Sequence, residues 1–373
     1  MSGAKAVRED RLWQRHAEMA KLGGTPKGGV NRQALSPEDA AARNLLASWA
    51  TARGFSIFTD AIGNLFVRRQ GSDPGLAPVA SGSHMDSQPT GGRFDGMYGV
   101  LAAFEALEAL EDAGIQTRRP LMAVAWTNEE GSRFQPGAMG SAVFAGRYKL
   151  DDMLGVKDWE GVSLGEALAA TLNAAPAPML DAMTGFPLAG YVEAHIEQGP
   201  QLEAECKRIG VVTGIQGSRR YIVHIAGEEA HAGTTPRSAR KDAFAAATRV
   251  ATAMYEATTD QDDALRFTIG RVEVQPGSPN TVPGKASFTI DMRHPEDAVL
   301  DVMGRRCSRS CRSVQRRARH VPSASPTSRR RTSIGASSSW CARRPRGLAL
   351  ATWICPPAPA TTPCTSPPSA RPA

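Results

Sequence analysis

From Ser36 to about residue 303 the apolar positions alternate between helical and extended spacing. Ser36-Pro37-Glu38-Asp39 offers a capping hydroxyl, a proline at the first helical position and two acids in the first turn, and the Ala/Leu-rich run behind it stops at Gly54. These signals predict a helix. Ile57-Phe58 and Leu65-Phe66-Val67, parted by Gly63-Asn64, predict a hairpin. Residues 100–113 have helical apolar spacing and end at Gly114. Pro78-Val79-Ala80-Ser81, residues 121–126 and Tyr191-Val192-Glu193-Ala194 predict three short buried strands. They run out into His84, Asn128-Glu129-Glu130 and His195 respectively. Helices between strands, with chemistry just beyond the strand ends, are how open α/β sheets present active sites.

The rhythm changes near Gly214. A strand at 221–225, a long helix at 240–256, strands at 266–274 and 286–292 and a helix start at 295–303 predict a smaller α+β unit. The expected fold is therefore α/β: a catalytic domain over 1–213, then an inserted α+β domain over 214–304. Residues 305–373 contain no Asp, Glu, Lys, Asn, Phe, Tyr or Met and no apolar period, so an irregular, disordered tail is expected there.

Charge divides the same way. The formal net charge of +7 misleads, because 14 Arg lie beyond residue 304 and no acid does. The first 304 residues hold 30 basic against 37 acidic side chains, a mildly acidic body. Three readings of the tail compete: a basic nucleic-acid-binding segment, a Pro/Ser-rich linker, or GC-rich codons translated out of frame. Cys206 stands alone in the body, which is no disulfide framework. The charged N-terminus is followed by no apolar stretch, and no run of about 18 apolar residues occurs. A cytoplasmic protein with neither a membrane nor a nucleic acid as partner is expected.

His84, Asp95, Glu129, Glu130 and His195 all lie in glycine-containing turns. Each alone has an ordinary structural reading: a lone His or Asp at a strand end is more often structural than a ligand, and adjacent glutamates are usually a solvated pair. Together they supply the N/O donor mix of a zinc or manganese site. Asp86, two residues past His84, is a natural acceptor for that ring's other nitrogen. At an apolar strand's exit, Glu129-Glu130 can split two roles, one carboxylate binding metal and its neighbour accepting a proton. His231, in Glu229-Ala230-His231-Ala232-Gly233-Thr234-Thr235-Pro236, is a turn residue or an oxyanion contact. Arg293 is a surface ion pair or a carboxylate clamp. Asn280, in Ser278-Pro279-Asn280-Thr281-Val282-Pro283-Gly284, reads as a turn residue. His16, His224 and His294 carry no functional reading.

Six segments occur in order: GSHMDS (82–87), GGRFDG (91–96), TNEEGSRF (127–134), EAHIEQGP (193–200), HAGTTP (231–236) and GSPNTVPG (277–284). Over residues 10–304 the chain resembles the amidase/carbamoylase branch of the M20 metallopeptidase-like family. That branch includes N-carbamoyl-L-amino-acid hydrolases, β-ureidopropionases and allantoate amidohydrolases. The resemblance implies a homodimeric di-metal hydrolase acting on a small molecule, with 214–304 as lid and dimerisation domain. It implies two divalent ions per subunit (zinc, manganese or cobalt), with His84 and His195 on one, Asp95 bridging and Glu130 on the second. Glu129 becomes the general base and His231 a catalytic partner; Gln198, Arg220, Asn280 and Arg293 match substrate contacts. The wording of 88–92 and 128–130 is closer to carbamoylases than to allantoate enzymes. Hydrolysis of N-carbamoyl-L-amino acids to amino acid, carbon dioxide and ammonia is the activity implied. Allantoate hydrolysis is the alternative, and an inactive binding scaffold is a second.

The family's Ser-Gly-Ala-Gly-His-Asp-Ala segment, whose His completes the second metal's ligands, is missing; His320 lies in Arg-rich sequence without it. Yet permissible codons for 351–366, read one frame over, spell Asp-Leu-Asp-Leu-Pro-Ser-Gly-Ala-Gly-His-Asp-Ala-Met-Tyr-Leu. The histidine straddles the codons of Ala360 and Thr361. Of the three readings of the tail, the out-of-frame one accounts for this.

Overall fold

The computed structural model describes residues 3–175, 177–178, 185–259, 264–319, 334–341 and 350–354. The chain divides into two compact units, Met1–Thr213 with Leu348–Ala373, and Gly214–Gly347.

The first unit is built on a sheet of β1 (Ser56–Thr59), β2 (Leu65–Arg69), β3 (Val79–His84), β4 (Leu121–Trp126), β5 (Gly190–Ile196), β6 (Ile209–Val211) and β13 (Leu350–Ile354), in the order β1-β2-β4-β3-β5-β13-β6. β4, β3, β5 and β13 run parallel, while β1, β2 and β6 pair antiparallel. β4 reads as an unbroken apolar run because both its faces are covered. Ala123 and Ala125 join Leu46, Val100 and Phe104, whereas Met122, Val124 and Trp126 join Phe58 and Phe66.

Its helices are α1 (Glu9–Met19), α2 (Pro37–Ala52), α3 (Met97–Asp112), α4 (Met139–Phe144), α5 (Leu150–Leu154), α6 (Leu164–Ala174) and α7 (Gln201–Ala204). The Ser36 hydroxyl accepts the Asp39 amide as the expected cap of α2. α3 buries two acids, Glu105 and Glu108, each about 1 % exposed. Arg11 from α1 pairs with Glu105 at 2.7 Å, and Arg15 with Glu108 at 2.7 Å. Burying those carboxylates unpaired would be strongly destabilising, so α1 and α3 must pack as a pair.

The second unit is an antiparallel sheet of β7 (Gly217–Ala226), β9 (Arg266–Gln275), β11 (Lys285–His294) and β12 (Ile334–Cys341), ordered β12-β7-β11-β9. A short pair, β8 (Ala230–His231) with β10 (Thr281–Val282), sets His231 opposite Thr281. β11 alternates strictly: Ala286, Phe288, Ile290 and Met292 are buried against α8 (Ala243–Ala257) and α9 (Asp297–Arg319).

Within the tail from residue 305, α9 continues to Arg319, and the described segments 334–341 and 350–354 form β12 and β13. The helix persists because Cys307 and Cys311 extend the buried stripe begun by Leu300 and Met303, at helical spacing. β12 hydrogen-bonds to the otherwise open edge of β7, and β13 to that of β5. Cys206, which stands alone in the body of the sequence, is disulfide-bonded. Among the described residues no helix is long and apolar enough to cross a membrane.

Candidate metal centre

β3, β4 and β5 deliver their C-terminal ends side by side, which brings three of the expected ligands together. One donor atom each from His84, Asp95 and His195 lies within 4.8 Å of the others. His84 is 2 % exposed and Asp95 9 %. Both rings are oriented for a cation. His84 Nδ1 lies 2.8 Å from the Asp86 carbonyl oxygen, and His195 Nδ1 lies 2.9 Å from the Ile196 carbonyl oxygen. A carbonyl can only accept, so each Nδ1 donates, and Nε2 is the nitrogen that each ring presents to the carboxylates. His195 Nε2 is then 3.5 Å from Asp95 Oδ1, and His84 Nε2 is 3.5 Å from Glu129 Oε2.

Asp86 does not act as the acceptor expected of its side chain. Its carboxylate stands 3.7 Å from His84 Nδ1 and instead accepts the amides of Glu129 (3.1 Å) and Glu130 (3.2 Å). The backbone of Asp86 orients the histidine, and its side chain anchors the turn carrying both glutamates. Asn128, before that turn, takes a left-handed φ of 52° and donates its side-chain amide to the Phe134 carbonyl at 2.8 Å.

Glu130 is held by Gln88 Nε2 at 3.0 Å through Oε2, while its Oε1 is buried with no hydrogen-bond partner. Burial, together with Asp95 and Glu129, pushes its carboxyl well up, against the pull of the Gln88 bond. At His84 burial disfavours the charged ring, but Asp86, Glu129 and Asp95 outweigh it and lift the group to about 9. Burial and the neighbouring carboxylates thus favour the protonated form of Glu130, and the carboxylates favour that of His84. An orphaned carboxylate oxygen, two imidazole Nε2 atoms and the Asp95 carboxylate together fit a divalent metal ion.

Gly96, which opens α3 directly after Asp95, is irreplaceable on two counts. Its φ is +63°, and a Cβ there would lie 2.4 Å from the His84 ring. Gly96→Ala is expected to displace His84 and abolish tight metal uptake, measured as metal per chain after dialysis; full retention would mean the ring has room to move.

Other expected site residues are placed as follows. Gln198, expected as a substrate contact, donates its amide to Asp95 Oδ2 at 2.7 Å. In the second unit His231 Nδ1 accepts the Gly233 amide at 3.1 Å. Asn280 accepts the Ser278 hydroxyl at 2.7 Å, and its carbonyl takes the Ala232 amide at 2.9 Å, so His231 and Asn280 share one loop cluster. Arg220 and Arg293 are exposed and share one carboxylate: Asp291 lies 3.1 Å from Arg220 Nε and 3.0 Å from Arg293 Nε. β11 sets Asp291 directly opposite Arg220, and Arg293 two residues on shares its face. The trio therefore keeps one net positive charge. His320 and the Ala360–Thr361 position lie outside the described residues. Nothing local in the sequence marks Gln88 as the partner of the Glu130 side chain or the Asp86 carboxylate as the anchor of the turn, because those partners lie 42 to 44 positions away.

Residues 80–271 match the model for peptidase family M20/M25/M40. The chain is 42% identical over 300 residues to an N-carbamoyl-L-amino-acid amidohydrolase of Rhizobium meliloti, covering 80% of this chain and 71% of that protein. It is 38% identical over 300 residues to the allantoate amidohydrolase of Escherichia coli (strain K12), covering 79% and 70%. The crystal structure of an amidase of the hydantoinase/carbamoylase family from Burkholderia vietnamiensis is similar at a TM-score of 0.79 and 44% identity, covering 90% of this chain and 77% of that one. With the donor set at the ends of β3 and β5 and the paired glutamates beyond β4, these similarities mean that the chain belongs to the M20/M25/M40 peptidase family, among its hydantoinase/carbamoylase amidases.

Proposed function

We propose that this protein's chemistry is hydrolysis of the ureido C–N bond of N-carbamoyl-L-amino acids, giving the amino acid and carbamate, which decays to carbon dioxide and ammonia. One observation carries the reading most: donor atoms of His84, Asp95 and His195 converge within 4.8 Å, with Glu129 beside them. In this reading His84, Asp95, His195 and Glu130 would hold two divalent ions, His84 and His195 serving one, Glu130 the other, and Asp95 being available to both. Zinc, manganese or cobalt suits the donors. Such ions, when bound, polarise the carbonyl and make water acidic enough to attack at neutral pH.

The residues do the rest. Glu129, side chain 41% exposed and so open to solvent, takes the proton of the attacking water and passes it to the leaving nitrogen. His231 accepts an amide hydrogen bond at Nδ1, which leaves the proton on Nε2 to donate to the developing oxyanion. Arg293 binds the substrate carboxylate, with Arg220, Asn280 and Gln198 as further contacts. Residues 214–304 serve as lid and dimerisation domain of a cytoplasmic homodimer.

Allantoate is the second substrate to test, because a relative of that name is 38% identical. Ammonia release from an N-carbamoyl-L-amino acid and from allantoate, each with manganese, zinc or cobalt, separates the two. Turnover of neither by a metal-loaded, frame-corrected chain would sink the proposal and favour a binding scaffold. Arg293→Ala is expected to weaken catalysis on N-carbamoyl amino acids by about 2 kcal/mol while sparing carbamoyl amines without the carboxylate. Equal losses in kcat/KM on both compounds would make Arg293 structural.

A further inference from the structure

Arg32 is the largest side chain among the most deeply buried residues, at 1 % exposure, and it makes no direct ion pair among the described residues. Filling that space with an apolar side chain would avoid desolvating a guanidinium. What the guanidinium does there is bridge. Its Nε donates to the Met85 carbonyl at 2.8 Å, between His84 and Asp86. Its Nη1 donates to the carbonyls of Met19 (3.1 Å) and Leu22 (2.8 Å), at and just past the end of α1, where helix carbonyls lack internal donors.

The backbone around Arg32 is stitched to the same loop. Its amide donates to Ser87 Oγ at 2.9 Å, and its carbonyl accepts the Ser87 amide at 2.8 Å. Val30 and Gly91 exchange both backbone hydrogen bonds, at 2.9 and 3.0 Å. Residues 30–32 thus hold the loop from Met85 to Gly91 at three points, Met85, Ser87 and Gly91. On the far side of that loop the Asp86 carbonyl orients His84, and the Asp86 carboxylate anchors the amides of Glu129 and Glu130. A shift of the Met85 carbonyl would rotate the peptide that carries Asp86, and so move both anchors together.

We infer that Arg32 is a positioning residue of the metal centre, fixing the His84–Asp86 turn from inside the core although it touches no ligand side chain. The inference rests on the metal-binding reading of His84, Asp95 and His195. Residues that orient ligands typically change metal affinity about 10- to 100-fold when removed.

The test uses cobalt(II) binding to the full chain, followed by equilibrium dialysis, with Arg32→Met, Arg32→Lys and Leu46→Ala beside the unaltered protein. Leu46 on α2 is buried in the core of the first unit and takes no part in the hydrogen bonds of Arg32, so its variant controls for lost stability. Arg32→Met is expected to weaken cobalt about 10- to 100-fold. Arg32→Lys, with the charge but not the planar fork, should lose less, and Leu46→Ala should keep its affinity at a comparable fall in Tm. Amide exchange of the unaltered protein covers the case in which Arg32→Met does not fold. By linkage, cobalt should slow exchange at the amides of Val30 and Arg32. Unchanged affinity in both Arg32 variants, an equal loss in Leu46→Ala, or no cobalt effect on those amides overturns the role of Arg32 alone. An unaltered chain that takes up no cobalt overturns the metal-binding reading with it.

Discussion

Glu129→Gln, made in a frame-corrected chain, is expected to keep its metal and lose about 10²–10⁴-fold in turnover, the usual cost of removing a general base. The split is argued from position. The amides of Glu129 and Glu130 are both fixed on the Asp86 carboxylate, so the turn itself survives the change. Glu130 keeps its Gln88 bond and its partnerless Oε1, and the His84, Asp95 and His195 donors are untouched. Glutamine fills the same space as glutamate but cannot take a proton at neutral pH. Metal per chain and kcat measured on the same sample decide the matter. Near-normal kcat would show that another group accepts the proton; loss of metal along with activity would make Glu129 a ligand rather than a base.

What the sequence made legible was the part governed by local rules. The cap at Ser36, the hairpin at 56–69 and the apolar run of β4 each state their element in consecutive residues, and the strand exits at 84, 127 and 195 follow from them. What escaped it depends on partners far along the chain. Glu105 and Glu108 look like the solvent face of α3, because the arginines that bury them are more than 90 residues away on α1. Arg32 looks like a loop arginine until the Met85 carbonyl, 53 positions on, is placed against it. The tail is a different case. Composition without an apolar period predicts irregularity, and the elements described within it rest on two cysteines at helical spacing and two open strand edges.

Expressed beside its frame-corrected counterpart, the chain as written is expected to hold at most one metal tightly and to hydrolyse no measurable N-carbamoyl amino acid. The chemical ground is ligand count: in the proposed assignment the second ion keeps only Asp95 and Glu130 from the protein, too few to fix it or its geometry. The second ground lies in the sheet. β13 takes the place beside β5, but the strands flanking it leave apolar side chains in water: Val192 on β5 is 45% exposed, and Ile209 and Val211 on β6 are 61% and 65% exposed. Such a face on a catalytic sheet calls for covering elements and otherwise invites association. Restoring the frame supplies a Ser-Gly-Ala-Gly-His-Asp-Ala segment directly after the β13 position, where its histidine would follow a strand parallel to the one that delivers His195. Metal per chain, ammonia release and light scattering of the two proteins form the comparison. Two tightly held metals and comparable turnover in the chain as written would show that the tail carries a ligand of its own and that its reading as out-of-frame sequence is wrong.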